Sequence, residues 1–253
     1  MLRQAMSVLR LFSRDRPELG VVETADLLDR PRSSVSRWLR DMADAGFLVR
    51  DPASGRYRLS MELAALGELS RRSTSLQKVA RPVLEALVRD TGETSNLVIL
   101  EGEFGVNVEV VQSPRPVKHV GVLGRRLPLH ATAAGKVLLA GRPDEEIAAI
   151  LAGELPRLTG FTFCDRARLE EIVARVRVEG FATAWRELEE DLAAASAPVR
   201  DHTGEVVAAV TTSVPVSRIS REALPELARR VRVAADEVSR GLGAPEAGMS
   251  PPS

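Results

Sequence analysis

Cysteine is almost missing from this chain. Cys164 is the one thiol, so no internal disulfide can form, and only His119, His130 and His202 stand beside it. No CxxC, HExxH or other His/Cys grouping has zinc-ligand spacing, and no metal or other cofactor is expected. Long apolar runs are missing too: nothing approaches the roughly 18 consecutive apolar residues of a membrane span. Residues 1–6 lead into an amphipathic stretch, without the apolar core and small-residue cleavage site of a signal peptide. A cytoplasmic protein with no membrane partner is the expectation. Charge of one sign is not in excess, with 35 Lys and Arg against 35 Asp and Glu, so the chain is no polycation that would coat nucleic acid or lipid indiscriminately. Lysine is scarce (Lys78, Lys118, Lys136), leaving 32 arginines; genome composition suffices to explain that bias.

What is present is ordinary globular material. The 253 residues, 44% hydrophobic and 28% charged, are enough for one large or two ordinary domains with a sizeable core. Leu2, Met6, Leu9 and Phe12 recur at helical spacing until 15–20 break the pattern. A second short helix is predicted over 21–30 with Ala25 and Leu28 inward, stopped before Pro31. A third follows at once, with Ser33 or Ser34 available as caps and Val35, Trp38, Leu39 and Met42 as a buried stripe ending at Gly46. Residues 47–50 and 56–59 read as two strands around the turn 51–55.

Three helices and a β-hairpin make a winged helix-turn-helix over 1–60, a segment holding eleven arginines and eight acids. Such a motif sets its second helix in the major groove, where arginine reaches guanine edges or phosphates. The outward face of the third helix carries Arg32, Ser33, Ser34, Ser36, Arg37 and Arg40, and the hairpin carries Arg56 and Arg58. These are the candidate DNA-binding residues. Arg37 is the expected base reader, and Arg56 is expected near the flanking phosphate backbone. Trp38 shares the register of Val35 and Met42 and is assigned to the core.

Residues 59–75 read as a connecting helix fraying into a polar joint, which makes 61–75 a linker between 1–60 and a second domain over 76–243. In that domain helices are predicted over 76–90, 131–140, 144–152, 165–179 and 220–241. Strands are predicted over 95–100, 106–112, 117–123, 181–187 and 206–214. Two blocks of strands with helices between them suggest an α+β fold with a mainly antiparallel sheet. The tail 244–253, with its prolines and Gly248, is expected to be disordered.

At this point the chain resembles the IclR family of bacterial transcriptional regulators up to Gly243. The resemblance rests on Pro31-Arg32-Ser33-Ser34-Val35-Ser36-Arg37-Trp38-Leu39, Gly55-Arg56-Tyr57-Arg58-Leu59, Arg81-Pro82-Val83-Leu84 and Thr91-Gly92-Glu93-Thr94. More specific are Gly124 to Lys136, containing Leu129-His130-Ala131-Thr132-Ala133-Ala134-Gly135-Lys136, and the set from Ala197-Pro198-Val199-Arg200-Asp201 to Ala209. It implies a winged helix joined by a linker helix to a GAF-like effector-binding domain. It also implies homodimers or homotetramers on palindromic double-stranded operators, repressing or activating catabolic operons in response to a small-molecule effector. The implied effector positions are Leu127, Leu129, Ala133, Ala134, Ala184, Trp185, Ala194, Thr211 and Ser213. Relative to members that take small keto acids, polar groups near Ala184, Trp185 and Ala194 are missing. The expectation is therefore a roomier, more apolar pocket with Trp185 as an aromatic wall, suited to an aromatic or medium-chain carboxylic acid. An effector would reorient the winged helices through 59–75.

Two other functions are less well supported by the residues. For an enzyme there is no G-x-S-x-G or G-x-G-x-x-G, and Gly135-Lys136 lacks both the earlier glycine and the following Ser/Thr of a phosphate loop. Ser196, Asp201 and His202 are near only in sequence, Glu187, Glu189 and Glu190 read as a solvated strand end, and Cys164 reads as inert. His119 and His130 could each meet an anionic ligand, although His130 reads more simply as a cap or packing residue. The other alternative is a DNA-binding scaffold whose second domain only oligomerises.

Overall fold

A computed structural model describes residues 2–13, 16–66 and 76–245. The chain divides into two compact units between residues 74 and 75. Of the expected linker, 61–66 is helical (α4), whereas 67–75 lies outside the described residues, as does the tail from 246.

The first unit contains α1 (Leu2–Leu9), β1 (Glu18–Leu19), α2 (Val21–Leu28), α3 (Arg32–Asp44), β2 (Leu48–Arg50) and β3 (Tyr57–Leu59). Its core is Val8, Ala25, Val35, Leu39, Met42, Leu48 and Tyr57, with Trp38 and Leu28 packed at its margin. α1 is shorter than its pattern suggested; its inner face is set by Ala5, Val8 and Leu9, Phe12 packs on the same core from beyond its end, and Met6 is exposed. Spacings of three and four residues from Ala5 make a better stripe than the series from Leu2. α2 ends at Asp29 in the left-handed conformation, and α3 starts after Pro31, so three residues make the turn. β3 pairs with β2 (Val49 opposite Arg58) and with the unforeseen β1 (Leu19 opposite Tyr57), giving the order β1-β3-β2.

The second unit is a six-stranded antiparallel sheet, β6-β5-β4-β9-β8-β7, with helices on both faces. Its strands are β4 (Thr94–Glu101), β5 (Phe104–Val111), β6 (Arg126–Pro128), β7 (Ala182–Trp185), β8 (Leu192–Arg200) and β9 (Val206–Pro215). Its helices are α5 (Leu76–Thr91), α6 (Ala133–Ala140), α7 (Asp144–Leu151), α8 (Arg166–Glu179) and α9 (Leu224–Gly241). Strand alternation divides the packing. Leu97, Ala193, Ala195, Ala197, Ala208 and Val210 join α5 and α9 in one core. Val98, Ala194, Ala209, Ala182 and Ala184 join α6, α7 and α8 in the other. This is the expected α+β, GAF-like arrangement with a winged helix before it. β6 and β8 were not anticipated as strands, because β8 (Leu192-Ala-Ala-Ala-Ser-Ala-Pro-Val-Arg200) is alanine-rich rather than β-branched. Conversely 117–123 is not a strand but part of an irregular segment between β5 and β6, with Val117, Val120, Val122 and Leu123 exposed.

Candidate nucleic-acid interface and effector cavity

On α3 the apolar positions Val35, Leu39 and Met42 turn inward, which places Arg32, Ser33, Arg37 and Arg40 on the exposed side and Ser34 and Ser36 at its half-buried margins. The side chains of Arg32, Arg37 and Arg40 make no hydrogen bond or ion pair among the described residues. Their charges are thus presented to solvent along one helix face. In the hairpin, Asp51 accepts from the backbone of Ala53 and Ser54, both 3.1 Å, and these bonds hold its carboxyl below the usual range, the Ser54 side chain contributing most. Gly55 closes the turn at φ +70°. Arg58 is exposed, whereas Arg56 is committed: its Nη2 donates to the Glu18 carbonyl (2.9 Å) and to Glu23 (2.6 Å). Expected to be free for a phosphate, Arg56 instead ties the hairpin to β1 and α2.

In the second unit, the start of α6 faces β4, β8 and β9 across a cavity of about 40 Å³. Thr132 caps α6: its side chain accepts from Gly135 N (3.0 Å) and its carbonyl accepts from Lys136 N. The N–H groups of Ala133 and Ala134, first in the helix, are left without an intrahelical acceptor. Gly135 is required because a Cβ there would lie 2.1 Å from the Leu129 carbonyl oxygen. Leu127, Ala184 and Ala194 supply apolar wall, while Thr211 and Ser213 reach the cavity from β9. Leu129 packs in the adjoining core instead of lining the cavity. Trp185 does not line it either. Next to Ala184 on a strand, Trp185 must point to the opposite face, where it packs with the α5–α9 core.

The cavity is small rather than roomy, and its wall is mainly apolar, as expected, with a few polar groups set into it. Asn96 and Asn107, not foreseen as site residues, line it, as does His119, one of the two histidines that could meet an anionic ligand. Asn107 Nδ2 donates to the Val122 carbonyl (3.1 Å), which fixes the amide so that its Oδ1 accepts from Asn96 Nδ2 (2.6 Å). Asn96 Oδ1 is then a buried acceptor with no donor. Ser196 donates to the Val210 carbonyl (2.9 Å), so it accepts from Thr211 (2.8 Å), leaving the Thr211 lone pairs available. Asparagine is disfavoured inside strands, and its occurrence within two apolar runs was the available signal. His119, in the segment after β5, is held through its carbonyl by Thr94 (2.7 Å). Burial lowers its pKa, opposed by Glu189 and Asp191 and assisted by Arg125.

Glu187 also borders this cavity, and it is buried, not solvated. The chain leaves β7 through Arg186 at φ +60°, after which Glu187 accepts two bonds from Lys136 Nζ, 2.6 and 2.7 Å. The third Lys136 donor reaches the Thr183 carbonyl (3.1 Å). Burial pushes the lysine pKa down and the carboxyl up, and their mutual attraction opposes both. Glu189 and Glu190 are more exposed and pair with Arg125 and Arg186. His130 is buried with Nε2 3.0 Å from the Pro156 carbonyl, and is not the cap. Ser196, Asp201 and His202 are joined by no hydrogen bond among the described residues, and Cys164 is half-buried. None of the described helices is long and apolar enough to cross a membrane.

Residues 2–52 match the IclR helix-turn-helix domain, and 70–240 match the model described as "Bacterial transcriptional regulator IclR C-terminal". The chain belongs to the IclR family. Among relatives, it is 31% identical to the HTH-type transcriptional regulator XynR of Escherichia coli K12, over 96% of this chain and 97% of that one. A putative IclR transcriptional regulator of Silicibacter sp. TM1040 superposes with a TM-score of 0.87 at 25% identity, covering 98% and 97% of the two chains. An IclR homologue of Microbacterium hydrocarbonoxydans, solved with 4-hydroxybenzoate, gives 0.59 at 27% identity, covering 95% and 99%. As an IclR-family protein the chain is a helix-turn-helix transcriptional regulator, not an enzyme.

Proposed function

We propose that this regulator represses a catabolic operon and that a compact hydroxy acid, bound in the 40 Å³ cavity, releases it from DNA. The observation that carries the effector reading is that Asn96, whose buried Oδ1 has no donor, lines the same cavity as Ala133 and Ala134, the first residues of α6. A carboxylate suits donors at a helix N-terminus, and a hydroxyl would supply the donor that Asn96 lacks. The Microbacterium homologue's 4-hydroxybenzoate carries the same two groups on a ring. A ring is favoured less here, since a cavity of about 150 Å³ is the scale that accepts benzene.

Arg32, Ser33, Ser34, Ser36, Arg37 and Arg40 read the operator from the major groove, with Arg37 on a base edge and Arg58 on flanking phosphate. Arg56 contributes through the shape of the wing. The protein acts as a homodimer or larger homo-oligomer on a palindrome, and the exposed Val117, Val120, Val122 and Leu123 suit contact with a second copy. Effector binding reorients paired winged helices through the linker at 61–75.

Calorimetry with lactate and pyruvate tests the effector reading. Lactate should bind more tightly, because a buried acceptor discriminates against an analogue lacking the donor, and Asn96→Leu should erase the difference. Equal or preferred binding of pyruvate by the unmodified protein would overturn it.

A further inference from the structure

A second cavity, of about 280 Å³, lies along the outer edge of β7. It is larger than the first and more open, and Glu187 borders both. Its floor is the buried Lys136–Glu187 pair. Phe163, Phe181 and Trp185 supply half-buried aromatic wall from the α8 approach and from β7. Arg175 of α8 and Arg221, just before α9, line it from two sides of the sheet edge. Neither guanidinium makes a hydrogen bond or ion pair among the described residues. Both act on the floor: the Arg221 charge favours ionised Glu187, and that of Arg175 disfavours charged Lys136. The other rim arginine, Arg168, is already held by Glu171 (2.6 Å), and Glu179 is the one acid at the rim.

We propose that this second cavity binds an aromatic carboxylate. Its volume accommodates a substituted ring, which the first cavity does not. The aromatic side chains offer stacking faces, and two uncommitted guanidinium groups offer charge-assisted, bidentate hydrogen bonds to an anionic end. A peptide strand added to β7 fits less well, because the Thr183 carbonyl at that edge is taken by Lys136. The ligand sits between α8, β7 and the start of α9, separate from the hydroxy-acid site although Glu187 is common to both.

Phthalate is the probe. Trp38→Phe leaves Trp185 as the sole tryptophan of the full chain, and Trp185 lines only the second cavity. Phthalate should change its emission saturably, with the same affinity by calorimetry on the unmodified protein. Arg175→Gln with Arg221→Gln should weaken phthalate about tenfold, a loss of about 1.4 kcal/mol. Both arginines are exposed, so the fold should survive, and lactate binding should be unchanged. Absence of saturable phthalate binding, or equal affinity in the arginine variant, would overturn the site. A failure of lactate to bind leaves these phthalate outcomes readable, so the two proposals fail separately.

Discussion

The two units handle charge in opposite ways. The winged helix buries a small apolar core and leaves Arg32, Arg37 and Arg40 uncommitted on its surface. The second unit takes an ion pair, two asparagines and several hydroxyls inside and satisfies nearly all of them. Uncommitted surface charge keeps no internal partner waiting, so its removal should alter binding without altering the fold. A buried charge has a partner, and removing one member leaves the other stranded. Function is therefore separable from stability on the outer face of α3 and entangled with it at the Lys136–Glu187 pair.

The sharpest way to break that contrast is Lys136→Met. Leaving Glu187 buried without a counter-ion should cost about 3–5 kcal/mol in urea denaturation, and Lys136→Met with Glu187→Leu should recover most of it. No recovery in the double variant would mean that the pair matters by packing alone. Arg37→Ala should leave the urea midpoint unchanged yet cost roughly 1–3 kcal/mol on specific DNA and relax the preference at one base position. Arg56→Ala should do the reverse, lowering stability of the winged helix by about 1 kcal/mol and weakening all DNA sequences alike. Gel-shift titrations on specific and random DNA beside denaturation curves separate the two arginines. Equal losses on both DNAs for Arg37→Ala would remove it as a base reader.

The smallest expected effect concerns pH. Burial holds the folded His119 below its ordinary pKa near 6.5, so the folded state binds fewer protons than the unfolded one in that window. Stability should fall as pH drops from above 6.5 towards the folded value, and His119→Gln should flatten that slope. A steeper slope in the variant would reverse the assignment.

The sequence was most legible where one periodicity dominates. Val35, Leu39 and Met42 fixed which face of α3 is outward, and hence where Arg37 stands. The helix start at Ala133 and Ala134 was legible through the family motif. Less legible were features made by partners far along the chain. Asn96 and Asn107 meet across adjacent strands, and Glu187 meets Lys136 from 51 residues away. Nothing in the local pattern at Glu187-Leu188-Glu189-Glu190 distinguishes the buried glutamate from the more exposed ones. The family resemblance implies Trp185 as a wall beside Ala184, whereas strand alternation sends these adjacent residues to opposite faces. Arg56 has the local pattern of a free wing charge, and its partner Glu23, 33 residues earlier, is brought to it only by the fold.

The most direct test of the central claim is to incubate the purified protein with fragmented genomic DNA from the organism that encodes it, and to sequence what is retained at low and raised salt. A few palindromic sites should persist when salt strips the non-specific phosphate contacts, and Arg37→Ala should lose them. Retention no better than background at every salt would contradict the account of α3 as a reader of DNA.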